Sequence, residues 1–129
     1  MPIVSDFETI VGDASYRVGD SAQPRRFNFS TGGRKHSRTA YIVLMVKGMT
    51  VTNRHAKVFL NDKDVGLIFN NNGGGVNQWQ TQTIHFNGSD LRNGENTVEF
   101  HGVTYEGGGA DHFDDYYVRN VICHYHQEA

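Results

Sequence analysis

Two segments gather amides, carboxylates and aromatic rings around three consecutive glycines. The first runs Asn70-Asn71-Asn72-Gly73-Gly74-Gly75-Val76-Asn77-Gln78-Trp79, the second Tyr105-Glu106-Gly107-Gly108-Gly109-Ala110-Asp111-His112-Phe113-Asp114-Asp115-Tyr116. Planar amides and carboxylates form paired hydrogen bonds with hydroxyl groups, and an aromatic ring offers an apolar plate to the C–H face of a pyranose. On that chemistry Trp79 and Tyr105, joined by Tyr116, are the platforms. Asn70, Asn71, Asn72, Asn77, Gln78, Glu106, Asp111 and His112 are the hydrogen-bonding groups. A structural reading of the same residues stands beside it. Trp79 would then cap a core, and the Asn run would form a turn, because Asn tolerates left-handed backbone.

The knot Asp111-His112-Phe113-Asp114-Asp115 suits a hard cation, since calcium takes several oxygen ligands. A structural calcium on Asp111, Asp114 and Asp115 is one expectation. The other is that Asp114 or Asp115 fixes loop amides at the start of a strand. Adjacent aspartates in a strand point to opposite faces, which argues against a general acid and base pair. His124-Tyr125-His126 puts two imidazoles on one strand face, and His85 or His101 from a neighbouring strand would complete a transition-metal site. Ordinary exposed or hydrogen-bonded histidines account for the same pattern. No G-x-S-x-G, P-loop, H-E-x-x-H or C-x-x-C occurs, so no complete catalytic constellation appears. The expected protein is not an enzyme.

The elements that must position these groups are constrained by composition. The 129 residues fit one domain, 1–129, long enough to bury a core without staples. The formal net charge of −2 gives no global pull toward nucleic acid or an anionic membrane. Arg25, Arg26, Arg34, Lys35 and Arg38 cluster in sequence, and read as a solvated face. The longest apolar run, Ala40-Tyr41-Ile42-Val43-Leu44-Met45-Val46, is far too short to span a bilayer as a helix. The N-terminus shows no secretion signal, so a cytoplasmic location is expected, or a secreted one if a signal was removed. Cys123 is the single cysteine, which excludes an internal disulfide and reads as a small buried side chain.

Strand signals dominate the chain. Residues 38–47 are apolar on both faces, as in a central strand; 56–60 and 65–69 flank the polar turn Asn61-Asp62-Lys63-Asp64 as a hairpin. Residues 79–86 form another strand, and Asn87-Gly88 and Asn93-Gly94 bracket a short connection, supplying positive φ. Val98 and Phe100 point inward, Glu99 and His101 outward. The strand 116–126 must change face near Asn120, because Val118 and Val121 cannot both point inward without a bulge. The first 37 residues break at Gly12, Gly19 and Pro24, and suggest one or two short strands. If short turns alternate strand direction, the strands feeding both glycine triplets end at the same end of an all-β sandwich, with the Asn-Gly turns at the other.

From residue 58 onward the motif order resembles the galactose-binding-like β-sandwich (jelly-roll) family, found as carbohydrate-binding modules and as accessory domains of glycoside-processing enzymes. It is also similar to small stand-alone microbial proteins. The matching stretches are Val58-Phe59-Leu60-Asn61-Asp62-Lys63-Asp64-Val65-Gly66, Leu91-Arg92-Asn93-Gly94-Glu95-Asn96-Thr97-Val98 and Asp114-Asp115-Tyr116-Tyr117-Val118-Arg119-Asn120-Val121. Asp62 stands where the family usually has glycine. The resemblance implies an antiparallel sandwich whose ligands sit on end loops or a concave face, often with structural calcium. All three motifs are scaffold motifs, so the ligand assignment rests on local chemistry. The leading expectation is a non-catalytic, lectin-like module that binds carbohydrate through the two glycine-rich loops. Its rival is a structural or assembly protein using the same loops and sheet faces; homo-oligomers suit both.

Overall fold

Alternating apolar side chains, interrupted by Asn, Asp and Gly, fold into strands throughout. A computed structural model describes residues 2–19, 24–49, 55–69, 77–104 and 113–129, and of 103, 104, 113 and 114 the backbone only. The strands are β1 (Ile3–Val11), β2 (Tyr16–Val18), β3 (Arg25–Ser30), β4 (Ala40–Lys47), β5 (Ala56–Leu60), β6 (Lys63–Ile68), β7 (Gln80–Phe86), β8 (Glu95–Phe100), β9 (Val103–Thr104), β10 (Phe113–Asp114) and β11 (Tyr116–Glu128). One sheet has the order β1-β11-β4-β7, with β2 also on β11, and the other β3-β8-β5-β6. All the ladders are antiparallel. The architecture is the expected antiparallel β-sandwich.

The core lies between the sheets. Ile42, Leu44 and Val46 of β4 and Val118, Val121 and Cys123 of β11 meet Val58 and Leu60 of β5 and Val98 and Phe100 of β8. β4 is central, as its sequence predicts, but its two faces differ. Ala40, Ile42, Leu44 and Val46 are buried, whereas Tyr41, Val43, Met45 and Lys47 are half-buried on an outer face.

Turn chemistry explains the connections. Asn61 and Asp62 have φ of 50° and 68°, so a two-residue left-handed turn closes β5 on β6, tighter than the sequence suggests. Gly94 has φ of 85°. Gly88 does not take positive φ, contrary to expectation. It is glycine because a Cβ there would lie 2.1 Å from the Arg38 carbonyl oxygen. The bulge in β11 is where parity places it. Asn120 has φ of 50°, and the register against β4 shifts between Arg119 and Ile122, so Val118 and Val121 both face the core. The bulge also divides the partners of β11: β2 pairs with Tyr116, Tyr117 and Val118, and β1 with residues from Val121 onward. Its backbone N–H donates to the Gly12 carbonyl at 2.8 Å, and its side chain to Asp13 at 2.9 Å.

The N-terminal third departs from expectation. It holds three strands, one of them nine residues long. Ile3, Val4, Phe7, Ile10 and Val11 break alternation because β1 is an edge strand. Its Asp6 and Glu8 lie opposite the buried Tyr125 and Cys123, while Phe7 faces out at 56% exposure. Inward carboxylates on an edge discourage pairing with another chain.

Candidate functional site

Strand register gathers one end of the sandwich. Val46 pairs with Gln80, Lys47 with Tyr117 and Ala56 with Ile68, so the ends of β4 and β6 and the starts of β5, β7 and β11 lie together. These strands lead into 70–76 and toward 105–112, the latter through the β9–β10 ladder, which pairs Thr104 with Phe113. That ladder has no counterpart in the sequence reading. Both glycine triplets lie outside the described residues, as do Asn70, Asn71, Asn72, Tyr105, Glu106, Asp111 and His112.

Of the residues expected in the loop ends, Asn77, Gln78 and Trp79 are described: Asn77 and Gln78 are exposed and Trp79 half-buried. Trp79 is not a core residue. It precedes β7 at the outer face of the first sheet, where Lys47 Nζ lies over its ring at 4.9 Å from the centroid and the Arg119 guanidinium carbon at 4.2 Å. Both distances are within cation–π range. Lys47 Nζ is also 6.0 Å from the centroid of Tyr117, which is 38% exposed. The sequence reading missed Lys47, Arg119 and Tyr117, since three separate segments converge here. Only their shared outward parity across β4 and β11 signals it.

Tyr116, expected as a platform, points the other way. It is fully buried and its hydroxyl donates to the His101 carbonyl at 2.7 Å, tying the start of β11 to the end of β8. Burial raises its pKa well above the ordinary phenol. Asp114 contributes backbone to β10, and Asp115 faces Arg17 at 3.3 Å.

The histidines do not assemble. His124 stacks on Tyr41 at 4.7 Å, with His85 on the other side of that ring at 5.6 Å, and Phe7 extends the row. His101 belongs to the other sheet, against Phe59 and hydrogen-bonded to Glu99 at 2.6 Å. Among the described residues no group of three His, Cys, Asp or Glu is placed to hold a metal ion. The basic residues 25–38 disperse as well. Arg26 pairs with Glu99, Arg25 donates to the Arg17 carbonyl, and Lys35 reaches the Gly88 carbonyl at the opposite end. Among the described residues no helix is long and apolar enough to cross a membrane.

No family model matches the sequence, and no curated protein matches it. Among solved structures the chain is similar to BpGH86A, a β-porphyranase of glycoside hydrolase family 86 from the human gut bacterium Bacteroides plebeius. The identity is 14% and the TM-score 0.57, over 97% of this chain and 21% of that one. BuGH86wt, in complex with neoagarooctaose, matches at 11% identity and a TM-score of 0.60, over 97% and 19%. A family 35 carbohydrate binding module from Clostridium thermocellum matches at 15% identity and a TM-score of 0.52, over 95% and 89%. The chain thus spans about a fifth of the two glycoside hydrolase structures and most of the module. What these proteins share with it is the fold, an antiparallel β-sandwich.

Proposed function

We propose that this chain is a non-catalytic carbohydrate-binding module that takes its ligand at the end of the sandwich entered by the two glycine-rich segments. The observation that carries the reading is the convergence of strand ends beside Trp79 and Asn77. A rigid sheet presents there an exposed amide and a partly open indole, next to segments rich in Asn, Gly, Glu and Asp. In support, one solved structure that matches the chain over most of both lengths is a carbohydrate-binding module. In this reading Asn70, Asn71, Asn72, Tyr105, Glu106, Asp111 and His112 complete the site from the two segments.

The test is a glycan array probed with the wild-type protein and with Trp79→Ala. Binding by the wild type that the variant loses, at an unchanged thermal midpoint, is expected. A folded protein that binds no glycan, with or without calcium, would overturn the reading.

The assembly reading uses the same loops together with the sheet faces. The outer face of the first sheet leaves Tyr41, Val43 and Met45 only half-buried and Phe7 exposed. Light scattering distinguishes the two: a monomer at micromolar concentration removes self-assembly through that face.

A further inference from the structure

On the outer face of the first sheet, β4 and β11 each present one cation beside Trp79. Lys47 is at 4.9 Å from the ring centroid and the Arg119 guanidinium at 4.2 Å. Among the described residues neither has a carboxylate partner. Among the described residues, Lys and Arg pair with Asp or Glu at Arg17 with Asp115, Arg26 with Glu99 and Lys63 with Asp90. Arg119 Nε is buried without a hydrogen-bond partner among the described residues, with the indole lying against the guanidinium. The nearest acid of that row, Asp115, already faces Arg17. The neighbouring outward positions of β4 and β7 are Met45, Val43, Thr81 and Thr83, none of them acidic. Among the described residues, Lys47 and Arg119 therefore form a pair of cations with no carboxylate between them at the end where the ligand is proposed to bind.

We propose that the carbohydrate bound at this end carries an anionic group, a carboxylate or a sulfate ester, received by Lys47 and Arg119. Trp79 holds the two cations in place rather than serving as a bare stacking plate. The inference rests on the carbohydrate-binding reading. Charge-assisted hydrogen bonds to a fixed anion are roughly twice as strong as neutral ones, and a guanidinium can make two of them side by side. Because the site is partly open to solvent, the attraction is screened by salt.

The experiment is calorimetric titration of the full chain with two matched pairs: polygalacturonate against its fully methyl-esterified form, and a sulfated galactan against its desulfated form. Each is run at low and high sodium chloride. One anionic member is expected to bind about tenfold or more tighter than its neutral counterpart, and to weaken with salt. Which pair responds identifies carboxylate or sulfate. Lys47→Gln and Arg119→Gln are each expected to lose about tenfold on that anionic glycan. Arg119→Lys should retain part of the binding, and Lys47→Gln controls for any folding defect in the Arg119 variants. Neutral and anionic members binding alike would overturn this inference while leaving the carbohydrate reading standing, as would Lys47→Gln and Arg119→Gln both binding as wild type. Failure of every glycan, neutral or anionic, would remove both.

Discussion

Replacing Asn96 with alanine tests how the sandwich end opposite the candidate site is fixed. Asn96 is 1% exposed and uses its whole amide. Its Nδ2 donates to the carbonyls of Arg92 at 3.0 Å and Gly94 at 2.9 Å. Its Oδ1 accepts from the Arg92 N–H at 2.8 Å and from Asn61 Nδ2 at 2.9 Å. Alanine removes all four bonds, yet most partners keep another. The Gly94 carbonyl still accepts from Thr31 N–H, the Arg92 carbonyl from the Thr31 hydroxyl, and Asn61 Nδ2 still donates to the Asp90 carbonyl. Only the Arg92 N–H is left bare. At about 1 kcal/mol net per hydrogen bond, with one orphaned donor and some compensation, the loss is about 3 kcal/mol. A chain of this length unfolds with an entropy of about 270 cal/mol/K, so the midpoint should fall by about 11 °C. Asn96→Asp keeps the accepted bonds but turns lone pairs toward two carbonyls, and should be no more stable than the alanine variant at neutral pH. Thermal melts followed by circular dichroism, with urea unfolding as a check, read both. A loss below about 1 kcal/mol in Asn96→Ala would refute the reasoning, because water would then be satisfying the turn as well as the amide does.

Gly88→Ala should cost about 3 kcal/mol or more in urea unfolding, because the new Cβ meets backbone atoms of Arg38 and His36. Gly33→Ala, with nothing within 4 Å, should stay within about 0.5 kcal/mol. Burial pushes the Glu99 carboxyl up, but hydrogen bonds from Arg26 and His101, and their charges, outweigh it and hold the group below its ordinary 4.5. A depressed folded value gives stability that is present above the unfolded pKa and lost as pH falls through the folded one. Glu99→Gln should therefore be less stable than wild type at pH 7, with the gap closing in acid; an equal gap in urea melts at about pH 3 would contradict this. Burial, then the charge of Glu8, pushes the Cys123 thiol up to about 12, so iodoacetamide should label it at pH 8 only in denaturant. Rapid labelling of the native protein would show that β11 opens locally.

Much of the scaffold was legible because strand chemistry is local. The alternation of residues 96–100 placed Val98 and Phe100 inward, as observed, and the clash of parity at Val118 and Val121 required the bulge found at Asn120. The stretch Leu91-x-x-Gly94-x-Asn96-x-Val98 is legible physically as well. Leu91, Asn96 and Val98 are buried and Gly94 takes the left-handed turn between them. β1 was not legible because an edge strand places Asp6 and Glu8 where alternation expects apolar residues. Tyr116 failed as a platform for a similar reason. Its neighbours in sequence are polar, but its parity is set by Val118 inside the same strand. At the candidate site the sequence showed Trp79 and Asn77, but not the cations over the indole, since Lys47 and Arg119 meet it only through the pairing of β11, β4 and β7. The glycine triplets lie outside the described residues, and their share in the site remains part of the proposal.

Trp79 is the chain's single tryptophan, so its fluorescence and its one indole N–H resonance report on the candidate site alone. Titrating the protein with a glycan that it binds is the most direct test of where the ligand sits. The indole resonance should shift in a saturable way with the same affinity as calorimetry, together with the amides of Asn77, Lys47 and Tyr117. Saturable binding that leaves the indole unmoved and shifts only residues around Tyr41 and His124 would place the ligand on the open sheet face and contradict the account.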